Sequence, residues 1–330
     1  MNKTVCVTGC AGYLGDAVVD SLLKFGYVVL AIDNLMYGGR YMREHPHMTF
    51  ARCDVRDTEK LGELFAKHNV GAIVHLAAFV GDGACAVNPE LTIETNERAT
   101  VRLAELCKKL NSRLVFASTC SVYGAADTVL GEESQTNPLS LYAGTKLNAE
   151  AAVKTVSEHV IFRLGTLFGL SAQFGRLRCD LVTNILTYKA VEGNKLTIFG
   201  GAQWRPLLHV RDAAHIMAEA ATFSSIESGI YNLSCGNFTV IQIARTILNT
   251  LQMPENESTL EITSNIFEDQ RNYCVSTKKV TAAGVRTLLT LEDGIKEMAA
   301  KARSGTIADL WDKTYHNASY VKERYDPIPH

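Results

Sequence analysis

Long apolar runs are missing from this chain, and so is any marked excess of charge. No stretch approaches the ~18 uninterrupted apolar residues of a membrane-spanning helix. The first apolar stretch is broken by Gly9 and Gly12, so neither a membrane span nor a signal peptide is expected. Lys and Arg (33) nearly balance Asp and Glu (35), which gives no general attraction to nucleic acid or to an anionic membrane. Any anionic ligand must then be held by local arginines and helix ends. The nine cysteines form no Cys-x-x-Cys pair and no His cluster accompanies them. No metal site and no disulfide framework is expected, and a reducing cytoplasmic setting is. No internal repeat or low-complexity linker is present. The chain has 330 residues, 47% hydrophobic and 21% charged, a soluble composition long enough for one large α/β unit plus a smaller lobe.

Leu141-Tyr142-Ala143-Gly144-Thr145-Lys146 lies in a segment whose apolar spacing through Ala149, Ala152, Val153 and Val156 predicts a helix over 141–156. Residues four apart share a helix face, so Tyr142 and Lys146 point the same way. A nearby ammonium favours the tyrosinate and lowers the phenol pKa towards a range useful for a general base. A surface Tyr and Lys on an amphipathic helix is the alternative, about as frequent for this spacing alone.

At the N-terminus the apolar run Thr4-Val5-Cys6-Val7-Thr8 leads into Gly9-Cys10-Ala11-Gly12-Tyr13-Leu14-Gly15 and an amphipathic segment over 16–25. Strand, glycine-rich turn and helix let backbone N–H groups approach a pyrophosphate; plain turn chemistry is the alternative. A second buried run, Val28-Val29-Leu30-Ala31-Ile32, ends at Asp33, about 20 residues on, the interval of an acid that binds an adenosine ribose. A carboxylate there repels a 2′-phosphate, which favours NAD over NADP.

Strand-like runs at 48–53, 72–78, 113–118 and 160–164 alternate with helical patterns at 58–68, 92–110 and 141–156. This alternation implies a doubly wound, Rossmann-type parallel sheet of α/β class, with ligands beyond the carboxyl ends of the strands. Residues 1–165 are expected to form the dinucleotide-binding unit and 166–330 mainly a mixed α/β substrate lobe, with 205–225 packing back onto the first unit. Within the second part, 169–180 reads as a mobile basic loop carrying Arg176 and Arg178, while 230–233, 239–251, 260–263 and 291–302 are assigned to the small lobe. The tail over 315–330 has no clear reading.

The set Thr8 to Gly15, Asp33-Asn34-Leu35, Asp54-Val55-Arg56-Asp57, His75-Leu76-Ala77-Ala78, Ser118 to Gly124, Tyr142 to Lys146 and Arg205-Pro206-Leu207-Leu208-His209-Val210-Arg211-Asp212 resembles the extended short-chain dehydrogenase/reductases, in their nucleotide-sugar epimerase/dehydratase branch. The resemblance implies an NAD enzyme. Gly9, Gly12, Tyr13 and Leu14 would line the pyrophosphate, Asp33 and Asn34 the adenosine ribose, Asp54 and Val55 the adenine, and Leu76, Ala77 and Ala78 the nicotinamide side. Asn96 matches a position supporting the site from below; a solvated helix Asn is the alternative. Thr119 would hold the reacting sugar oxygen, Tyr142 act as base, and Lys146 bind the nicotinamide ribose and lower the Tyr142 pKa. Val80 and Gly81 lie where the hexose should sit, Thr166 and Asp180 near the substrate phosphate, Thr197 and Phe199 near the base, and Arg205 and Arg271 on the diphosphate.

The implied chemistry is removal of a proton from a sugar C4 hydroxyl with hydride transfer to NAD, giving a 4-keto sugar. Dehydratases need two carboxyl groups after the Thr, where this chain has Cys120 and Ser121, so a 4-epimerase is expected, with a C4 dehydrogenase or 4-ketoreductase as the alternative. A non-catalytic NAD binder is disfavoured by the intact Thr119, Tyr142 and Lys146. Cys85, Cys120 and Cys179 could approach the hexose; buried inert thiols are the commoner outcome. A two-fold homodimer through the 92–110 and 141–156 helices is implied, with Val101, Leu103, Leu106 and Ala149 as contacts and core packing as the alternative.

Overall fold

Seven parallel strands form the main sheet, in the spatial order Gly229–Leu233, His159–Leu164, Arg113–Thr119, Val70–His75, Thr4–Thr8, Val29–Asp33 and Met48–Arg52. The computed structural model describes residues 4–38, 41–222, 226–263, 271–307, 309 and 311–325. Phe223, Asp269, Gln270, Pro327 and Pro329, which fall in segments read above, lie outside the described residues. Most central strands are near-continuous apolar runs because helices cover both faces. On one face Val18, Leu22 and Met217 pack helix Gly15–Lys24 and helix Val210–Thr222 onto the sheet. On the other, Leu61, Phe65, Leu103 and Val153 do the same for the helices Thr58–Lys67, Ala99–Leu110 and Leu141–Val153. Strand order reverses beside Thr4–Thr8, whose neighbours are the second and fourth strands of the chain. The crevice for a ligand opens at that point.

A second core gathers Phe168, Leu196, Ile243, Ile247, Leu291 and Ile295. Around it stand the three-stranded sheet Gly236–Thr239, Trp204–His209, Thr166–Phe168 and the pair Leu196–Phe199 with Leu260–Thr263.

Three expectations are corrected, and the tail, which had no clear reading, gains one. The strand Gly229–Leu233, assigned from sequence to the small lobe, is the outer strand of the main sheet, in register with His159–Leu164. Leu103 and Ala149 are buried in the main core and are not dimer contacts, whereas Val101 is exposed. The helix expected over 92–110 begins at Pro89, where Asn88 accepts the Leu91 N–H at 3.0 Å, and widens to a π turn over Glu94–Arg98 before Ala99–Leu110. The tail contains a helix, Asn317–Tyr325. No helix among the described residues is long and apolar enough to cross a membrane.

Candidate active site

The turn after the first strand closes too tightly for side chains. Gly9 has φ +76°, and a Cβ there would lie 2.8 Å from the Ala77 nitrogen; a Cβ on Gly15 would lie 2.0 Å from the Gly9 carbonyl oxygen. Glycine tolerates both the backbone angle and the approach. A bare backbone surface therefore faces the crevice at the N-terminus of the ten-residue helix Gly15–Lys24, where orphan N–H groups and the helix dipole favour an anion. At the end of the next strand, Asp33 accepts the Ala11 N–H at 3.0 Å and the Leu35 N–H at 2.7 Å. Its pKa is raised by burial against those two bonds. Asn34 donates to Asp54 at 2.9 Å and Arg56 holds both Asp54 oxygens. Against the upward effect of burial, these bonds bring Asp54 down to about 2.

Tyr142 and Lys146 lie on the buried face of helix Leu141–Val153, which starts at Ser140 because its hydroxyl caps the Ala143 N–H. Tyr142 faces Thr119 at the end of the adjacent strand, whose hydroxyl accepts the Ser121 N–H at 3.1 Å. Lys146 donates to the Ala117 carbonyl at 2.9 Å and stands 4.8 Å over the Phe116 ring. The expected lowering of the Tyr142 pKa is not what this enclosure produces: burial pushes it up, the Cys85 thiol adds to this, and the nearby Thr119 hydroxyl and Arg178 charge only partly oppose it. Lys146 is itself brought down to about 8 by burial. Removing both groups from water outweighs their spacing along the helix.

One cavity of about 520 Å³ joins these parts. Its walls include Gly9, Gly12, Tyr13, Leu14, Asp33, Asn34, Asp54 and Val55 at one end and Thr119, Tyr142, Lys146, Thr166 and Arg271 at the other, with Leu76, Ala77, Ala78, Val80 and Gly81 between. Among the described lining residues the carboxylates are Asp33 and Asp54; Asp82 stands off the wall, paired with Arg271 at 3.2 Å, and adds to the upward push on Tyr142. Asn96 is buried behind the floor, not on it: it accepts the Phe79 N–H at 2.8 Å and donates to the Phe79 carbonyl at 2.9 Å. That replaces the solvated-Asn alternative.

Four residues expected on substrate stand off the cavity wall. Asp180 is taken by Arg178, which grips it at 2.8 and 3.0 Å, and by the Asn317 N–H. Arg205 donates to the Arg271 carbonyl at 2.5 Å and so backs Arg271. Thr197 and Phe199 sit on a strand that buries Leu196 and Ile198 in the second core, and strand alternation sends them to the other face. The thiols are also withdrawn: Cys85 bonds the Phe79 carbonyl, Cys120 the Arg163 carbonyl, and none of Cys85, Cys120 and Cys179 lines the cavity. Burial pushes Cys85 and Cys179 up to about 12. The sequence reading missed Tyr37, Tyr273, Asn317 and Tyr325 as wall residues. Ser121, at one of the missing carboxylate positions, lines the wall with its hydroxyl 3.1 Å from that of Tyr273.

Comparison with known proteins agrees with this geometry. The family model described as NAD dependent epimerase/dehydratase family matches residues 5–234. The UDP-glucose 4-epimerase 2 of Oryza sativa subsp. japonica is 30% identical over 285 residues, covering 74% of this chain and 68% of its own length. The UDP-glucuronate 4-epimerase of Thermodesulfobacterium geofontis (strain OPF15) is 29% identical over 248 residues, 70% and 74% of the two chains. A Thermus thermophilus UDP-glucose 4-epimerase solved with NAD superposes with a TM-score of 0.77 at 25% identity, over 92% of this chain and 100% of that one. With the family model matching well over half of its length, this chain belongs to the NAD-dependent epimerase/dehydratase family.

Proposed function

We propose that the chain interconverts nucleotide hexoses at C4, with UDP-hexoses as substrates, through a 4-keto sugar. The observation that carries this reading is the meeting of Thr119, Tyr142 and Lys146 in one cavity whose only described carboxylates lie at the far, Asp33 end. Groups for moving a proton at a single sugar oxygen are in place; a carboxyl pair for eliminating water is not. The backbone cradle at Gly9 and Gly15 and the buried Asp33 carboxylate fit a dinucleotide. NAD, when bound, supplies the hydride acceptor and donor. Thr119 holds the sugar O4 by its hydroxyl, Tyr142 takes and returns the proton at that oxygen, and Lys146, near neutrality at about 8, carries charge or proton beneath them. Arg271, backed by Arg205, and Thr166 face the diphosphate, and Val80 and Gly81 the hexose. The relatives named above supply the UDP-hexose class.

All nine cysteines are free, which supports a reducing compartment such as the cytoplasm. A homodimer through the outward faces of Ala99–Leu110 and Leu141–Val153, where Val101 is exposed, is part of the proposal. The test is a panel of UDP-glucose, UDP-galactose and UDP-glucuronate incubated with enzyme and read by NMR. One of them should be converted to its C4 epimer, and Tyr142→Phe should lose ~10²-fold or more in turnover while keeping NAD. A Tyr142→Phe variant with near-normal turnover, or formation of a 6-deoxy-4-keto product, overturns the reading.

A further inference from the structure

The loop after the strand Thr166–Phe168 docks on the glycine turn. The Tyr13 hydroxyl donates to the Gly169 carbonyl at 2.5 Å, Ser171 donates to the Tyr13 carbonyl, and the Phe174 N–H donates to Asp16 in the first turn of helix Gly15–Lys24 at 2.9 Å. Two residues later Arg176 lines the cavity, its guanidinium 4.1 Å from the centre of the Tyr37 ring. Tyr37 lies four residues past Asp33 on the opposite lip.

The tail holds this pair together. Arg176 donates to the Thr314 carbonyl and the Asn317 amide oxygen, Asn317 donates to the Val80 carbonyl at 2.9 Å, and Arg324 donates to the Met36 carbonyl at 2.8 Å. The Tyr320 ring packs on Tyr37 with centroids 5.3 Å apart.

Two polar atoms in this arrangement have no protein partner among the described residues, the Arg176 Nε and the Tyr37 hydroxyl, and both are buried. The charges are also unequal. The other cavity-lining arginines each face a carboxylate, Arg56 with Asp54, Arg178 with Asp180 and Arg271 with Asp82. Arg176 bonds only a carbonyl and an amide oxygen. A half-buried cation whose Nε is enclosed and that bonds no anion of its own is a ready partner for an anionic ligand.

We propose that Arg176 and Tyr37 form a clasp, locked by the tail helix, that binds the phosphates of the dinucleotide from the side opposite the glycine turn. The clasp closes the crevice from the second lobe and so retains the cofactor between half-reactions. It rests on the dinucleotide reading of the cavity.

The test measures NAD released by heat from purified wild type, Arg176→Ala, Arg176→Lys and Tyr37→Phe. NAD affinity after stripping and UDP affinity are then measured by calorimetry. Arg176→Ala should weaken NAD by roughly 10- to 100-fold, the range of a hydrogen bond to a charged group, and Tyr37→Phe by roughly 3- to 10-fold. Arg176→Lys should fall between wild type and Arg176→Ala, and UDP affinity should hold within roughly twofold in all of them. NAD bound to Arg176→Ala as tightly as to wild type, or a loss confined to UDP, overturns the clasp. Failure of the epimerase reading would appear instead as absent turnover in wild type, with these NAD affinities unaffected.

Discussion

Replacing Lys146 by methionine should make the cofactor-free protein more stable near neutrality while stopping turnover. Lys146 is 3% exposed, and burial brings its pKa from 10.5 to about 8. Below pH 8 the lysine is charged in both folded and unfolded chains, and the gap of about 2.5 pH units, each worth ~1.4 kcal/mol, sets a folding cost of roughly 3 kcal/mol. The folded state sheds its proton as the pH rises through 8, while the unfolded chain keeps it until about 10.5. The cost therefore declines across that window and is gone above it. Methionine has a similar length and no charge, but it forfeits the bond to the Ala117 carbonyl, worth about 1.5–3 kcal/mol when the donor is charged. The net gain at pH 7 is then on the order of 1 kcal/mol, falling to about zero by pH 10, where the folded lysine is neutral and its bond is worth only ~1 kcal/mol. Urea midpoints of the stripped wild type and Lys146→Met at pH 7 and pH 10 measure it, and other titrating groups cancel in the difference. A variant less stable than wild type at pH 7, or a difference independent of pH, would refute the reasoning.

Other expectations follow from single contacts. Gly15→Ala places a Cβ 2.0 Å from the Gly9 carbonyl oxygen, so the turn must open; the purified variant should fold by circular dichroism and contain little NAD. Glu150→Gln leaves Arg163 without its buried partner, whose side chains are 1% and 4% exposed, and should cost about 3–5 kcal/mol in denaturant unfolding; a loss under ~1 kcal/mol would mean the pair contributes as little as a surface one. Light scattering at micromolar concentration should give the mass of a dimer, and a monomer mass would remove the proposed helix interface.

The glycine turn, Asp33 and the Tyr142/Lys146 pair were legible because each depends on residues adjacent in sequence: a Cβ that must be absent, a strand end, a spacing of four on one helix. What distant pairing decides was not. Gly229–Leu233 joins the main sheet only through its register with His159–Leu164, which local pattern does not carry. The tail helix Asn317–Tyr325 has a single fully buried apolar residue, Val321, and owes its place to Asn317 bonds with Asp180 and Val80. Thr197 and Phe199 failed on parity, since a strand's two faces are told apart only once its core is known. The Tyr142 pKa failed on magnitude: charge proximity was visible in the spacing, whereas the burial that outweighs it was not.

The most direct measurement uses a UDP-hexose carrying deuterium at C4. If Thr119, Tyr142 and Lys146 perform a reversible oxidation with the cofactor retained, the C4 epimer formed should keep its deuterium at C4, with no label in solvent and no lasting absorbance of reduced cofactor. Deuterium lost to water during epimerisation, or one equivalent of labelled reduced cofactor released per turnover, would contradict it.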